Sequence, residues 1–172
     1  MSSVRERRLA ADHERIKELS AASGSALEIV SATGRPPSQY VLTYRCPGLA
    51  RLLSGRKPEI AQLHSVQIDL PAGYPIQGPL VRFLTPIFHP HVFPNTNLVC
   101  IGTWTINEQL DQLVLRIGAL IQGDPQYLNF SSPANHVAAD WTKANMRALP
   151  FGTVTFKQAQ GVRFAIDWKE LK

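Results

Sequence analysis

The chain has 172 residues, 44% of them hydrophobic and 18% charged, and a net charge of +5. These values fit one domain that buries its own core and exclude a disordered or low-complexity chain. There is no run near the roughly 20 apolar residues of a membrane span, no signal-like apolar stretch after the charged start and no disulfide framework, so the sequence predicts a cytoplasmic protein without a membrane partner.

Residues 4–21 read as a helix with a narrow apolar stripe, Leu9, Ile16 and Leu19. Arg5, Arg7, Arg8, Arg15 and Lys17 give it a basic face. The mild basicity comes with no aromatic-basic repeat and no zinc-finger spacing, so nucleic acid is not expected as a partner. Ser23 and Gly24 end the helix, and a short strand follows at 26–32. A turn at 34–38 leads to a second strand at 39–45, with Tyr40, Leu42 and Tyr44 on one face. Pro47, Gly48, Gly55 and Pro58 predict irregular chain from 46 to about 62, with a helical turn around Leu49, Leu52 and Leu53. The alternation over 64–70 predicts a strand with one buried face. Pro71, Gly73 and Pro75 break it, and residues 80–84 form a fourth strand.

Residues 86–104 hold three prolines and no sustained period, and a loop of that length in a compact domain is usually functional. Thr105 and Glu108 have the spacing of a capping box, S/T-x-x-E. Leu110, Leu113, Val114, Ile117, Leu120 and Ile121 then mark an amphipathic helix, stopped by Gly123, Asp124 and Pro125. Ser132 as N-cap and Pro133 as first residue open another helix, with Ala134, Val137, Ala138 and Trp141 on its apolar side. Two β-like runs, 153–156 and 162–166, suggest a hairpin added at the end. The order is helix, four strands, long loop and two helices, which predicts an α+β fold with an antiparallel meander. The expected division is a domain over 1–147 and an extension over 148–172.

The stretch YPIQGPLVRFLTPIFHPHVFPNTNLVCIGTW, residues 74–104, resembles the core signature of ubiquitin-conjugating enzymes. In that family Tyr-Pro and a second proline precede a strand, a Phe-His-Pro-Asn stretch follows, and then come the active-site cysteine and a tryptophan. SPANHVAADW, residues 132–141, is similar to the family's later loop and helix. The resemblance covers about residues 5–146 and implies the family's fold: an N-terminal helix, a four-stranded antiparallel meander, a cysteine loop and C-terminal helices. The short link from Cys100 to Trp104 and the wording VCIGTW look more like conjugating-type proteins of bacterial operons, some of which act in antiviral defence.

The resemblance implies that Cys100 carries a ubiquitin-like modifier as a thioester, received from an ATP-dependent activating enzyme and passed to an amine of a target protein. No cofactor or metal is implied, a ligase is optional, and the chain is expected as a monomer or in complex with the activating enzyme. Cys46 reads as structural. His89 matches the motif histidine, which holds the loop by hydrogen bonds. His91 stands where the family usually has asparagine, the residue that supports the loop and stabilises the oxyanion; histidine can donate a hydrogen bond or assist proton transfer there. Asn95 or Asn97 is a candidate to replace the missing amide, and each also suits a turn. Ser132 aligns near the incoming lysine. Arg5, Arg8, Arg15 and Lys17 match the surface that docks the activating enzyme, and Ile76 and Ile106 match the ligase-binding loops. Other readings are a modifier-binding module without catalysis, a cysteine hydrolase using Cys100 with His91 or His89, and a metal site from these three residues.

Overall fold

The computed structural model describes residues 3–157. Helix α1, Val4–Ser23, is capped by Ser3, whose hydroxyl accepts from the Glu6 N–H while the Glu6 carboxylate accepts from the Ser3 N–H, a reciprocal capping box. Its buried stripe is Leu9, Asp12, Ile16 and Leu19, so a carboxylate stands in the middle of the apolar face. Strands β1 (Leu27–Gly34), β2 (Pro37–Leu52), β3 (Pro58–Asp69) and β4 (Leu80–Phe83) form one antiparallel sheet in the order β1-β2-β3-β4. Tyr40, Leu42 and Tyr44 of β2 face inward beside Val66 and Ile68 of β3 and Val81 and Phe83 of β4. Helix α2, Leu110–Ile121, closes the core with Leu110, Leu113, Val114, Ile117, Leu120 and Ile121. Tyr44 donates from its hydroxyl to the Val114 carbonyl at 3.0 Å, which ties sheet to helix. The last helix, α3, spans His136–Ala144.

Residues 46–62, expected to be irregular, are mostly a continuation of the β2–β3 hairpin. The ladder survives because Pro47, which has no N–H to donate, sits in a register shift between Arg45 and Gly48. Pairing resumes at Gly48↔Ala61 and runs to Leu52↔Pro58, with a tip where Gly55 and Arg56 adopt positive φ. Gly48 is required by close approach: a Cβ there would lie 2.6 Å from Ile121 Cγ2 and 2.8 Å from His64 Nε2. Leu49, Leu52 and Leu53 form no helical turn; the short 3₁₀ turn is Ser54–Arg56.

Three expectations differ from the structure, each because another contact forms in its place. Glu108 forms no capping box with Thr105, because its carboxylate pairs with Arg116 at 2.7 Å. Helix α2 starts after Gln109, whose N–H donates to Gln112 Oε1 at 3.3 Å, and the Leu110 N–H points at Asp12 Oδ1 at 3.5 Å. Ser132 is not the cap of α3. That cap is Asn135, whose Oδ1 accepts from the Ala138 N–H while its own N–H donates to the Pro90 carbonyl. Residues 153–156 form no strand; both backbone groups of Val154 bond the Gln122 carboxamide, at 2.8 and 2.9 Å. The run 162–166 lies outside the described residues.

Phe156 lies over Gly118 of α2 and edge-on to Tyr44, with ring centroids 5.6 Å apart. An alanine Cβ at 118 would stand 2.5 Å from Phe156 Cε2. Gly118→Ala is therefore expected to dislodge Phe156 and lower stability by about 1–3 kcal/mol, the usual cost of overpacking, read by urea denaturation. An unchanged midpoint would show that the contact contributes nothing to stability.

Candidate active site

The cysteine segment is held by backbone pairing. Phe83 donates to the Asn97 carbonyl at 3.0 Å and Val99 donates to the Val81 carbonyl at 2.9 Å, so residues 97–99 cover the edge of β4. On the other side Phe93 donates to Leu98 at 2.9 Å and Cys100 to the His91 carbonyl at 2.7 Å. Side chains alternate along an extended segment, so burial of Val99 turns Cys100 outward. Cys100 is a free, exposed cysteine. Cys46 is buried, and burial pushes its thiol up to about 12, which makes it a poor nucleophile.

Cys100 opens on a cavity of about 400 Å³. Its floor is apolar, with Val99, Leu113, Ile117 and Leu120, and its rim carries His91, Asn129 and Ser132. The wall opposite Cys100, residues 126–132, is fastened to the motif loop at two points. His91 Nε2 accepts from the Asn129 N–H at 2.9 Å, and the Pro90 carbonyl accepts from Asn135 at 3.0 Å. Burial lowers the His91 pKa, opposed in part by a hydrogen bond with the Tyr127 backbone. His91 is thus a neutral imidazole turned towards the backbone of the facing wall.

His89 does not line the cavity. It is buried, and its Nδ1 accepts from the His91 N–H at 3.0 Å. That bond places the proton on Nε2, which has no partner among the described residues. Burial, reinforced by the nearby His91, pushes the His89 pKa down to about 3. An unfolded histidine takes up its proton near 6.5, whereas the folded one does not until about 3. Stability from this group is therefore complete above pH 6.5 and falls as pH drops towards 3, by up to about 1.4 kcal/mol per unit. Buried His64 is shifted in the same direction. Urea midpoints are expected to fall between pH 7.5 and 5, with a shallower fall in His89→Gln; midpoints that stay level would contradict the buried neutral state.

The structure does not gather every predicted site residue. Asn95 and Asn97 lie in the turn after Phe93, where Asn97 has φ 57° and donates to the Phe93 carbonyl, and neither lines the cavity. This corrects the expectation that one of them brings an amide to the site. Arg5 donates to the carbonyls of Leu70 and Pro71. Arg8 binds Asp12 at 2.7 Å and donates to the carbonyls of Ile106 and Glu108, so both arginines hold the fold from within. Arg15 leans on Asp12 at 3.6 Å, and exposed Lys17 pairs with Glu14 at 3.0 Å. Ile76 and Ile106 are exposed, at 84% and 52%, on loops joined by Trp104, whose indole N–H donates to the Pro75 carbonyl at 2.8 Å. Among the described residues no three metal-ligating side chains are grouped to hold an ion, and no helix is long and apolar enough to cross a membrane. Sequence reasoning missed Arg116, Tyr127 and Asn129 on the cavity wall. For Asn129 a signal existed, since Asn followed two residues later by Ser is a local turn pattern.

Residues 60–151, more than half of the chain, match the family model described as ubiquitin-conjugating enzyme. The chain belongs to the ubiquitin-conjugating enzyme family. It is 34% identical over 86 residues to ubiquitin-conjugating enzyme E2 13 of Saccharomyces cerevisiae, covering 47% of this chain and 53% of that one. With ubiquitin-conjugating enzyme E2 N of Macaca fascicularis it shares 32% over 89 residues, 49% of this chain and 55% of the relative. The chain thus spans about half the length of these two relatives. A solved structure described as a novel ubiquitin-conjugating enzyme superposes with a TM-score of 0.58 at 19% identity, covering 82% of this chain and 86% of the other. Ubiquitin conjugating enzyme UbcA1 of Agrocybe aegerita gives 0.50 at 23%, over 71% and 84%. At those identities the two superpositions establish the fold, an N-terminal helix, a four-stranded antiparallel sheet and later helices.

Proposed function

We propose that the chain accepts a ubiquitin-like modifier from an ATP-dependent activating enzyme as a thioester on Cys100 and passes it to an amine of a target protein. The observation that carries this reading is the setting of Cys100: an exposed thiol on a backbone-clamped segment, open to a cavity with an apolar floor; the sequence resemblance puts the family's cysteine at the same residue. A thiolate attacks the modifier's activated carbonyl, forming a C–S bond as the donor's own thiolate leaves, and the product thioester stays reactive towards amines.

Exposed Lys17 and partly exposed Arg15 suit contact with the activating enzyme, while Ile76 and Ile106 suit a small apolar hot spot for a ligase or other partner. The hydrolase reading is less well supported, because His91 Nε2 is occupied by the facing wall and His89 lies outside the cavity. We assign the carrier role to 1–147, with 148–172 as an extension, and a bacterial conjugation operon with a part in antiviral defence as its setting. The test is incubation with the modifier and activating enzyme of its own system and ATP. An adduct on Cys100 that added thiol cleaves is expected; its absence would favour a non-catalytic modifier-binding module.

A further inference from the structure

We propose that Asn129 supplies the hydrogen bond that stabilises the oxyanion when an amine attacks the Cys100 thioester, and that His91 is the residue that positions it. This rests on the thioester reading of Cys100. The donors on the cavity wall differ in what each is tied to. A neutral imidazole has one N–H, and His91 Nε2 is an acceptor, filled by the Asn129 backbone. His91 therefore fastens the opposite wall through Nε2.

The Asn129 carboxamide is held in one orientation. Its Oδ1 accepts from the Ser131 N–H at 2.9 Å and from the Ser131 hydroxyl at 2.6 Å. With both lone pairs of that oxygen engaged, the amide assignment is fixed, and Nδ2 keeps two N–H donors with no partner among the described residues. Asn129 lines the same cavity as Cys100. The other polar groups there are less suited. Arg116 pairs with Glu108, and the side chains of Thr103, Gln126 and Ser132 have no hydrogen bond among the described residues to hold them. Donors fixed before reaction stabilise developing charge most, because they need no reorganisation. The carboxamide function absent at position 91 thus stands on the facing wall, held there by the histidine that replaced it.

In the step itself a neutral amine nitrogen attacks the thioester carbonyl carbon. The C–N bond forms as the carbonyl electron pair moves onto oxygen, where Nδ2–H donates to it. Collapse breaks the C–S bond and returns the Cys100 thiolate, and the ammonium proton passes to water.

The experiment loads Cys100 by exchange with a peptide glycyl thioester of mercaptoethanesulfonate, removes the excess, and follows discharge to free lysine by intact mass. Rates are normalised to the fraction loaded. Asn129→Ala and Asn129→Asp are both expected to discharge about 100-fold more slowly than wild type, the usual effect of losing one such donor. Asn129→Asp keeps the acceptor for Ser131, so a merely structural role would leave it at the wild-type rate, and that result would overturn the proposal. The double variant His91→Ala/Asn129→Ala should be no slower than Asn129→Ala alone, whereas fully additive losses would overturn the positioning role of His91. A wild-type chain that takes up no peptide on Cys100 would sink the thioester reading itself.

Discussion

Cys100→Ala is expected to abolish the modifier adduct completely, and Cys100→Ser to leave at most an oxygen ester that thiols do not cleave. The contrast follows from leaving-group and nucleophile chemistry: sulfur is the better nucleophile and the better leaving group, while a serine hydroxyl beside no free base is a poor one. The cavity offers Cys100 no such base, since Nε2 of His91 is held by Asn129. Cys46→Ala serves as the control. Cys46 is buried on β2 with its thiol pushed up to about 12, so the adduct should persist in that variant. Non-reducing electrophoresis with and without dithiothreitol reads all three. A thiol-cleavable adduct that survives in Cys100→Ala would move the acceptor elsewhere.

The fold was legible wherever periodicity and burial coincide. The α2 heptad-like spacing and the inward Tyr40, Leu42 and Tyr44 are repeated residue by residue in the core. Where sequence and structure part, the punctuation in the sequence is local and the structure resolves it at a distance. Pro47 looks like a break until β3 is known to lie beside it and a register shift absorbs the missing N–H. Thr105-x-x-Glu108 looks like a cap until Arg116 claims the glutamate. At the site the motif places Cys100 and His91 in one loop and the resemblance brings Ser132 near them, but nothing along the chain shows that residues 126–129 form the rest of the wall. That depends on Asn135 bonding Pro90 and Asn129 bonding His91, contacts 45 and 38 residues apart in sequence, of which the second is made by the ring of an unusual motif residue. The basic face of α1 misled in a related way: Arg5 and Arg8 look like solvated charge, and carbonyls far along the chain take them up.

Asp12→Ala is expected to be the most destabilising single change on α1. The carboxylate is fully buried, and four groups converge on it: Arg8 Nε at 2.7 Å, the Tyr74 hydroxyl at 2.5 Å, Arg15 at 3.6 Å and the Leu110 N–H at 3.5 Å. Burial and the bond to Asp12 push the Tyr74 phenol up, so it stays protonated and remains a donor. The carboxylate also lies at the positive N-terminal end of α2. Removing it leaves a buried hydroxyl, a helix N–H and part of a guanidinium without their acceptor, a loss of about 3–5 kcal/mol when a buried pair is broken from one side. For a chain of this size that is a drop in Tm of roughly 10 °C. Asp12→Asn keeps an acceptor oxygen and should lose less, and Lys17→Ala, which breaks only the exposed pair with Glu14, should leave Tm where it is. The consequence extends beyond stability, because Arg8 also holds the carbonyls of Ile106 and Glu108 and stacks over Tyr74. Loosening Asp12 frees the loops that carry Ile76 and Ile106, so a partner that grips those isoleucines should bind Asp12→Asn more weakly than wild type even below its unfolding temperature. Equal affinity would show that the loops keep their shape without the buried carboxylate, and that Trp104 alone fixes them.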